Sequence, residues 1–417
     1  MKPYLPVPLL VVLALCGCKS YKADPVDWDE ARAIGNTNKV HLASPGDAAT
    51  VALIGNRRIN ALRLKAASSA AVAEDYGWWE DPELDFDIMR IVNPSDHPFL
   101  GGGSLAFTIP LSGAEKAAEK AARHFAAAEK AEVENAELNL SVKAKKATIR
   151  LAALKKRREI LTRHNSDERV VRARKNIEIL HDAGEISVSE RAGVRRTTHA
   201  RRHDLMDTTR DIAIAEIELL KIMGLRPGTQ IEIAFALPAP PKNAPPAIDV
   251  KDLTSHPEVA AALIRHNASE AKLEEEIRRQ YPELKLGPAY ANEEGLDRLG
   301  IVAGITLPLW NRNRKNIAEA EAARKASRLE AIDVWLNLVS EAAAAQTNLA
   351  RLLAHPPIPD TELAEADALA DAGELTPLEY LAVREEILDQ KISECNWLKE
   401  SALALAELEK FKQGAGK

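Results

Sequence analysis

Three sets of residues have the types and spacing that chemistry needs. His199 and His203 stand four apart, the interval that sets two metal ligands on one helix face. Arg201 and Arg202 lie between them and no third ligand is near in sequence, so the reading is a solvent-facing pair rather than a metal site. Asp85 and Asp87 are carboxylates two apart, which puts both on one face of a strand. There they would line a wall that attracts cations; nothing beside them suits acid–base catalysis. Cys18 closes Leu15-Cys16-Gly17-Cys18, a lipobox in which the cysteine takes lipid once the leader is cut away. Cys395 is then the only other thiol, and one thiol makes neither an internal disulfide nor a metal cluster. The ten histidines are scattered and methionines number four, which is no relay for soft metals. No nucleophile elbow, phosphate loop or zinc motif occurs, so the chain is expected to be no enzyme and to carry no cofactor.

The elements that would position these residues begin with a leader. Lys2 and the apolar run over 7–15 read as a secretory signal covering 1–17, too short to span a bilayer. Lys19, not aspartate, follows Cys18, which favours the outer membrane of a Gram-negative envelope over the inner one. Beyond the leader no stretch approaches the ~20 apolar residues of a membrane helix. If the chain crosses a membrane, it must do so with strands in a closed barrel.

The chain also repeats itself. Tyr76 and Pro82-Glu83-Leu84 return as Tyr281-Pro282-Glu283-Leu284. Leu105-Ala106-Phe107-Thr108-Ile109-Pro110-Leu111 returns as Ala303-Gly304-Ile305-Thr306-Leu307-Pro308-Leu309. Asp182-Ala183-Gly184-Glu185-Ile186-Ser187 returns as Asp371-Ala372-Gly373-Glu374-Leu375-Thr376. Three matches in one order, about 190 to 200 residues apart, indicate one structural unit built twice. A lipidated tether over 18–45 is expected to precede the first unit, 46–224, and a proline-rich linker over 225–255 to separate it from the second, 256–412, with a tail over 413–417.

Each unit predicts a helix, two strands and a long helical hairpin. An alanine-rich helix is expected over 47–75. Leu84, Phe86 and Ile88 alternate with Asp85 and Asp87, as Leu105, Phe107, Ile109 and Leu111 do with Ala106 and Thr108, the pattern of a strand with lipid on one side and water on the other. Turns are expected at 93–98 and at Gly101-Gly102-Gly103. From 114 to 181 there is no glycine or proline, enough for about 100 Å of helix, with a local break at Asn165-Ser166-Asp167. Leu140, Ala144, Ala147, Leu151, Leu154 and Leu161 form a heptad seam, answered on the returning helix by Leu205, Thr208, Ile212, Ala215, Leu219 and Ile222. The second unit predicts a helix over 256–280, strands over 283–290 and 301–309, and a long helix from 316 with the seam Leu329, Ile332, Leu336, Val339 and Ala343. Pro356, Pro357 and Pro359 end it, and the return carries Leu381, Leu388, Cys395 and Ala402 one heptad apart, which makes Cys395 a core residue.

These motifs together resemble the TolC-type outer-membrane efflux protein family. The resemblance rests on Ser104 to Leu111 and Ala303 to Leu309, on the asparagine-bearing step Trp310-Asn311-Arg312-Asn313-Arg314, and on the two tip turns, and it covers roughly 46–412. The family implies a mostly α fold with a small membrane β-barrel. Three copies would each give four strands to one twelve-stranded barrel and their helices to a periplasmic tunnel. It further implies a homotrimer docked on a periplasmic adaptor and an inner-membrane pump, serving as a passive export duct anchored by lipid in the outer membrane. Asp85 and Asp87 would then line the lumen. Gly184-Glu185-Ile186-Ser187 and Gly373-Glu374-Leu375-Thr376 would meet the adaptor, with the glycines permitting tight reversal. The run 282–288 and the Gly-Glu-Leu tip are similar to the heavy-metal-efflux branch. His181-Asp182 and Ala370-Asp371 replace an aromatic often found before Ala-Gly, so the family's gating contacts do not carry over.

Charge separates the two hairpins. Residues 143–202 hold 18 Lys/Arg against 7 Asp/Glu, whereas 355–409 hold 3 against 14. A basic block can signal nucleic acid, but no aromatics interleave and a lipidated envelope protein meets none. The expectation is that basic and acidic hairpins alternate around a ring and attract one another. The competing reading is a periplasmic coiled-coil lipoprotein, structural or adaptor-like, without a pore.

Overall fold

The computed structural model describes residues 21–412 apart from 34, 36, 77–79, 91, 93–98, 294, 295, 306, 308 and 358–362. The leader, Cys18, the turn at 93–98, Thr306, Pro308, Pro359 and the tail 413–417 lie outside the described residues.

The first half of the chain comprises α1 (Trp28–Ala33), β1 (Lys39–Leu42), α2 (Pro45–Gly55), α3 (Arg57–Glu74), β2 (Glu83–Arg90), β3 (Phe99–Pro110), α4 (Ala114–Ser166), α5 (Glu168–Asp182) and α6 (Val188–Met223). The second comprises β4 (Gln230–Ile233), a 3-10 turn (Asp252–Ser255), α7 (Pro257–Arg278), β5 (Glu283–Glu293), β6 (Leu296–Ile305), α8 (Arg314–Ala354), α9 (Leu363–Ala372) and α10 (Pro377–Lys412). Helix, strand pair, long helix, short helix and returning helix thus occur twice in the same order.

The 53 residues of α4 rise about 80 Å, since nothing in them breaks the backbone ladder. The interruption anticipated at 165–167 is present. Asp167 ends α4 and caps α5, its side chain accepting hydrogen bonds from the Arg169 and Val170 amides. The long helices lie side by side in the order α6, α4, α10, α8. The α4 seam is buried at Ala144, Ala147, Leu151 and Leu161, and it meets Ile212, Leu219 and Ile222 of α6 together with Ala48 and Ala52 of α2. A second core joins Leu253, Val259, Leu338, Leu349, Leu408 and Phe411. Leu381, Leu388, Cys395 and Ala402 are all buried, as their heptad spacing requires.

On α8 the expected seam is displaced. Leu329, Ile332, Leu336 and Ala343 are exposed, and the buried face carries Ala320, Ser327, Ala331, Leu338, Ala342, Ala345 and Leu349. Both stripes have heptad spacing; the smaller residues allow the closer approach of α7 and α10, which leaves the larger ones outward.

Two further expectations are corrected. The tether is not wholly irregular: β1 pairs in parallel with β4, and Leu42 is fully buried in the first core. The helix expected over 47–75 is two helices. Asn56 stops α2 and caps α3, its side-chain oxygen accepting from the Arg58 and Ile59 amides while its amide donates to the Ile222 carbonyl. Gly55 and Gly224 meet backbone to backbone at this joint. A Cβ on Gly224, whose φ is +71°, would lie 2.2 Å from the Gly55 oxygen. Gly184, with φ +79°, has nothing within 4 Å. Gly224→Ala should therefore lose more than the roughly 1–2 kcal/mol that a left-handed backbone alone costs, and Gly184→Ala about that amount; thermal unfolding of the two variants compares them.

His256 clamps the start of α7 to the end of α10. It is fully buried, with Nδ1 accepting from the Glu258 amide at 3.2 Å and Nε2 donating to the Lys410 carbonyl at 3.1 Å. That geometry needs a neutral ring, and burial lowers its pKa below the ordinary 6.5. The clamp is complete above about pH 6.5 and weakens as pH falls toward the lowered folded value. Amide exchange in the first turn of α7 should accelerate on acidification, and His256→Gln should remove that pH limb.

Candidate functional site: an apolar sheet face and paired helical tips

β2, β3, β5 and β6 form one antiparallel sheet in that order. Register assigns the side chains to faces. Leu84 pairs with Leu105, Leu286 with Phe107 and Ala303, Leu284 with Ile109 and Ile305, Tyr290 with Leu299, and Pro288 with Ile301. All fall on one face, together with Phe86 and Ile88. The other face holds Asp85, Asp87, Ser104, Thr108, Lys285, Gly287, Ala289, Arg298 and Gly300. Among the described residues no element covers the apolar face: Phe86 is 69% exposed, Ile301 77% and Leu299 86%. The strands are 8, 12, 11 and 10 residues long, close to the ~9–11 that a tilted strand needs to cross hydrocarbon. The outer strands β2 and β6 each leave one edge unpaired. The structure thus places Asp85 and Asp87 together on the polar face, with Lys285 bridged to the adjacent Glu83 at 2.7 Å. Among the described residues no helix is long and apolar enough to cross a membrane, and no three His, Cys, Asp or Glu side chains converge as a metal site requires.

Helices join the sheet through left-handed residues. Gly113 precedes α4 with φ +68°, and Asn313 precedes α8 with φ +51°. Asn313 is held there by its amide, which donates to the Glu276 carbonyl at 2.8 Å and carboxylate at 2.7 Å on α7. This gives the Trp310–Arg314 step a physical role.

The far ends of the hairpins share one turn. Gly184 and Gly373 both have positive φ, and the next amides, Glu185 and Glu374, reach back to the Leu180 and Leu369 carbonyls at 2.9 Å. Ser187 and Thr376 then start the returning helices with reciprocal capping boxes to Glu190 and Glu379. Gly184, Glu185, Ser187, Gly373, Glu374 and Thr376 are exposed. Ile186 and Leu375 are not fully presented outward: both are half-buried against Val170, Ala173, Ile177 and Tyr380, in a cluster that brings the two tips together. His199 and His203 are exposed on α6.

No protein-family model matches the chain, and no curated protein does. Solved structures do. The outer-membrane channel OprN superposes with a TM-score of 0.73 at 16% identity, over 95% of this chain and 98% of its own. The Campylobacter jejuni CmeC outer membrane channel gives 0.70 at 14%, over 96% and 91%. CusC, described for its folding and transmembrane channel formation, gives 0.67 at 16%, over 94% and 95%. The fold is that of the TolC-type outer-membrane channels.

Within this channel fold the opposite charges of the two hairpins meet inside one chain. Lys145 pairs with Glu409 at 2.5 Å, Lys146 with Glu407, and Arg169 with Asp367 at 2.9 Å. Glu385 of α10 is the centre of the set. It accepts from Arg201 Nε at 2.8 Å and lies 3.2 Å from His164 Nε2 and 3.5 Å from Arg174. Arg201 also reaches Asp389 at 2.6 Å. Burial by itself raises the Glu385 pKa, but the hydrogen bonds and charges of His164 and Arg201 outweigh it and bring the carboxyl to about 2.

Each hairpin of the channel fold also carries a clasp that sequence reading missed. Glu178 accepts from Arg195 Nη2 at 2.7 Å and Nε at 2.8 Å, with Arg191 beside it. Asp367 receives Arg384 at 3.2 Å and the Tyr380 hydroxyl at 2.9 Å. Counted from Gly184 and Gly373, Glu178 corresponds to Asp367, Arg195 to Arg384 and Arg191 to Tyr380, so the repeat itself held the signal. Arg384 differs in being buried and in reaching Asp167 of the first hairpin as well.

Proposed function

We propose that this chain is the outer-membrane channel of a tripartite efflux system, a passive duct from periplasm to exterior. The observation that carries the reading is the four-stranded sheet. Its apolar face is uncovered by the described elements and carries charge only at its ends (Arg90 and Asp297), its polar face holds the other charges, and both edges are open, in a chain whose helices run far beyond it. An open, exposed apolar sheet is a liability for a soluble protein. Closing copies edge to edge removes it. Because β2 and β6 run in opposite directions, they can pair between copies and extend the antiparallel order. Three copies would give a twelve-stranded barrel with lipid outside and Asp85 and Asp87 inside, and they would set the helices in a tunnel below. The same sheet disfavours the periplasmic coiled-coil alternative, which leaves that face wet. No catalytic arrangement is needed, and the solved neighbours named above are channels. Lipid on Cys18 would anchor the chain at the outer membrane, and an adaptor carrying the inner-membrane pump would dock at the tips. Native mass spectrometry of protein extracted from outer membranes in mild detergent tests the core of this: a lipid-bearing trimer supports it, and a monomer overturns it.

Docking is tested separately at the tips. Ile186→Asp with Leu375→Asp is expected to abolish efflux while the trimer survives, read from substrate accumulation in cells and oligomer mass. Efflux retained by the double variant would remove the tips from the docking role.

A further inference from the structure

One face of α4 carries cations that the chain leaves unpaired. Lys143, Arg150 and Arg157 recur every seven residues, about 10 Å apart along the helix. Lys145, Lys146, Lys155 and Lys156 of the same helix each reach a glutamate. Among the described residues Lys143, Arg150 and Arg157 have no such partner. The Nε of Arg157 is buried without an acceptor, a state that costs free energy until one arrives. Lys143 and Arg150 are exposed and line a cleft of about 250 Å³ between α6, α4 and α10. Most other charges of that cleft are matched. Lys146 pairs with Glu407 and Lys410 with Glu341 at 2.8 Å, which leaves Glu218 alone against the two cations. The second unit has no such stripe: counted from the strand motifs, its equivalents are Glu341, Asn348 and His355. Hairpin packing therefore does not call for it.

The stripe also points to the clear side of the row. At about 100° per residue, its three members fall within about 40° of one another, and Lys155 lies roughly 120–160° round from them. Lys155 donates to the Ile231 carbonyl of β4 at 3.0 Å, so the β1–β4 pair sits on the other side of α4.

We propose that Lys143, Arg150 and Arg157 are a run of anion subsites on the passage wall, and that the duct's cargo includes solutes bearing a carboxylate or phosphate. The inference rests on the channel reading above, with the passage along the face that β1 and β4 leave clear, and it adds the chemical class of the solute. Copies set around one passage would turn each position into a ring of cations, an arrangement that selects anions in pores. Arginine presents a planar fork of donors that matches carboxylate and phosphate, and lysine a point charge. Asp85 and Asp87 do not cancel the stripe. From Gly113, where α4 leaves the sheet, to Lys143 is about 45 Å of helix, several times the ~8–10 Å over which charges act in physiological salt. The passage is then acidic within the sheet and basic at mid-height.

Blockade of single-channel current through the full-length protein in planar bilayers tests the assignment. The probe is mellitate, a benzene ring with a carboxylate on every carbon, added on the side of the helices. It should block the wild-type pore. Lys143→Gln with Arg150→Gln and Arg157→Gln should raise the half-blocking concentration roughly tenfold and move the reversal potential in a KCl gradient toward that of potassium. Lys156→Gln removes a cation from another face of α4 and should leave the block as it is. Should the triple variant not assemble, Lys143→Gln alone, at an exposed site, should show a smaller rise in the same direction. Pores that conduct but are not blocked by mellitate overturn the anion subsites and leave the channel standing. A block that survives loss of the stripe, or that Lys156→Gln weakens equally, overturns them too. No conductance from the wild-type protein overturns the channel reading itself.

Discussion

Ile301→Arg is expected to abolish the assembled channel even though Ile301 is 77% exposed in the single chain. A charged replacement at so exposed a site on a soluble protein typically changes stability by less than about 0.5 kcal/mol. On the lipid face of a membrane barrel, near mid-strand, arginine costs roughly 2–4 kcal/mol per copy, and a ring of three would meet that cost three times. Val302 is the internal control, because the neighbouring side chain points to the polar face. Val302→Arg should assemble and alter conductance instead. The measurement is heat-modifiable oligomer in outer-membrane fractions of the two variants. Equal assembly of both would show that the face carrying Phe86, Leu299 and Ile301 does not meet lipid.

Glu385→Ala is expected to open the tip by a comparable free energy. Removing one partner of a buried ion cluster leaves the rest unpaired, at a cost of about 3–5 kcal/mol. Here the stranded groups would be His164 and Arg174, whose side chains are 6% and 16% exposed, while Arg201 keeps Asp389. The pH dependence runs with the carboxyl. Its folded pKa of about 2 lies below the ordinary 4.5, so the stabilisation is present above pH 4.5 and is lost as pH falls from 4.5 toward 2. Amide exchange in α5, at Val170, Ala173 and Ile177, reports local opening without unfolding the four-stranded sheet. Unchanged protection in Glu385→Ala at neutral pH would show that the cluster does not hold the hairpins together.

Much of the fold was legible because it depends on local patterns. Alternation over Leu84–Ile88 sets the faces of a strand whatever lies beside it, and the register bears this out residue by residue. The Ala-Gly-Glu turns needed only a left-handed glycine and a capping box, both encoded within nine residues. The break at Asp167 followed from a residue that caps helices better than it continues them. Duplication told the rest, since two hairpins of one plan must reverse at equivalent points.

What the sequence left open concerns partners, and only tertiary structure decided those. Heptad spacing on α8 offers two stripes; packing chose Ala331, Leu338 and Ala345 because small residues let α7 and α10 come close, and it left Leu329, Ile332 and Leu336 outside. At Asn56 the cap on α3 is local, but the hydrogen bond to Ile222 that fixes the joint comes from 166 residues away. The β1–β4 pair likewise joins segments that each read as irregular. Net charge announced that the hairpins are opposite in sign, but not that one carboxylate, Glu385, would gather His164, Arg174 and Arg201. Periodicity fixes which residues share a face; what that face meets is settled by chain segments far away in sequence.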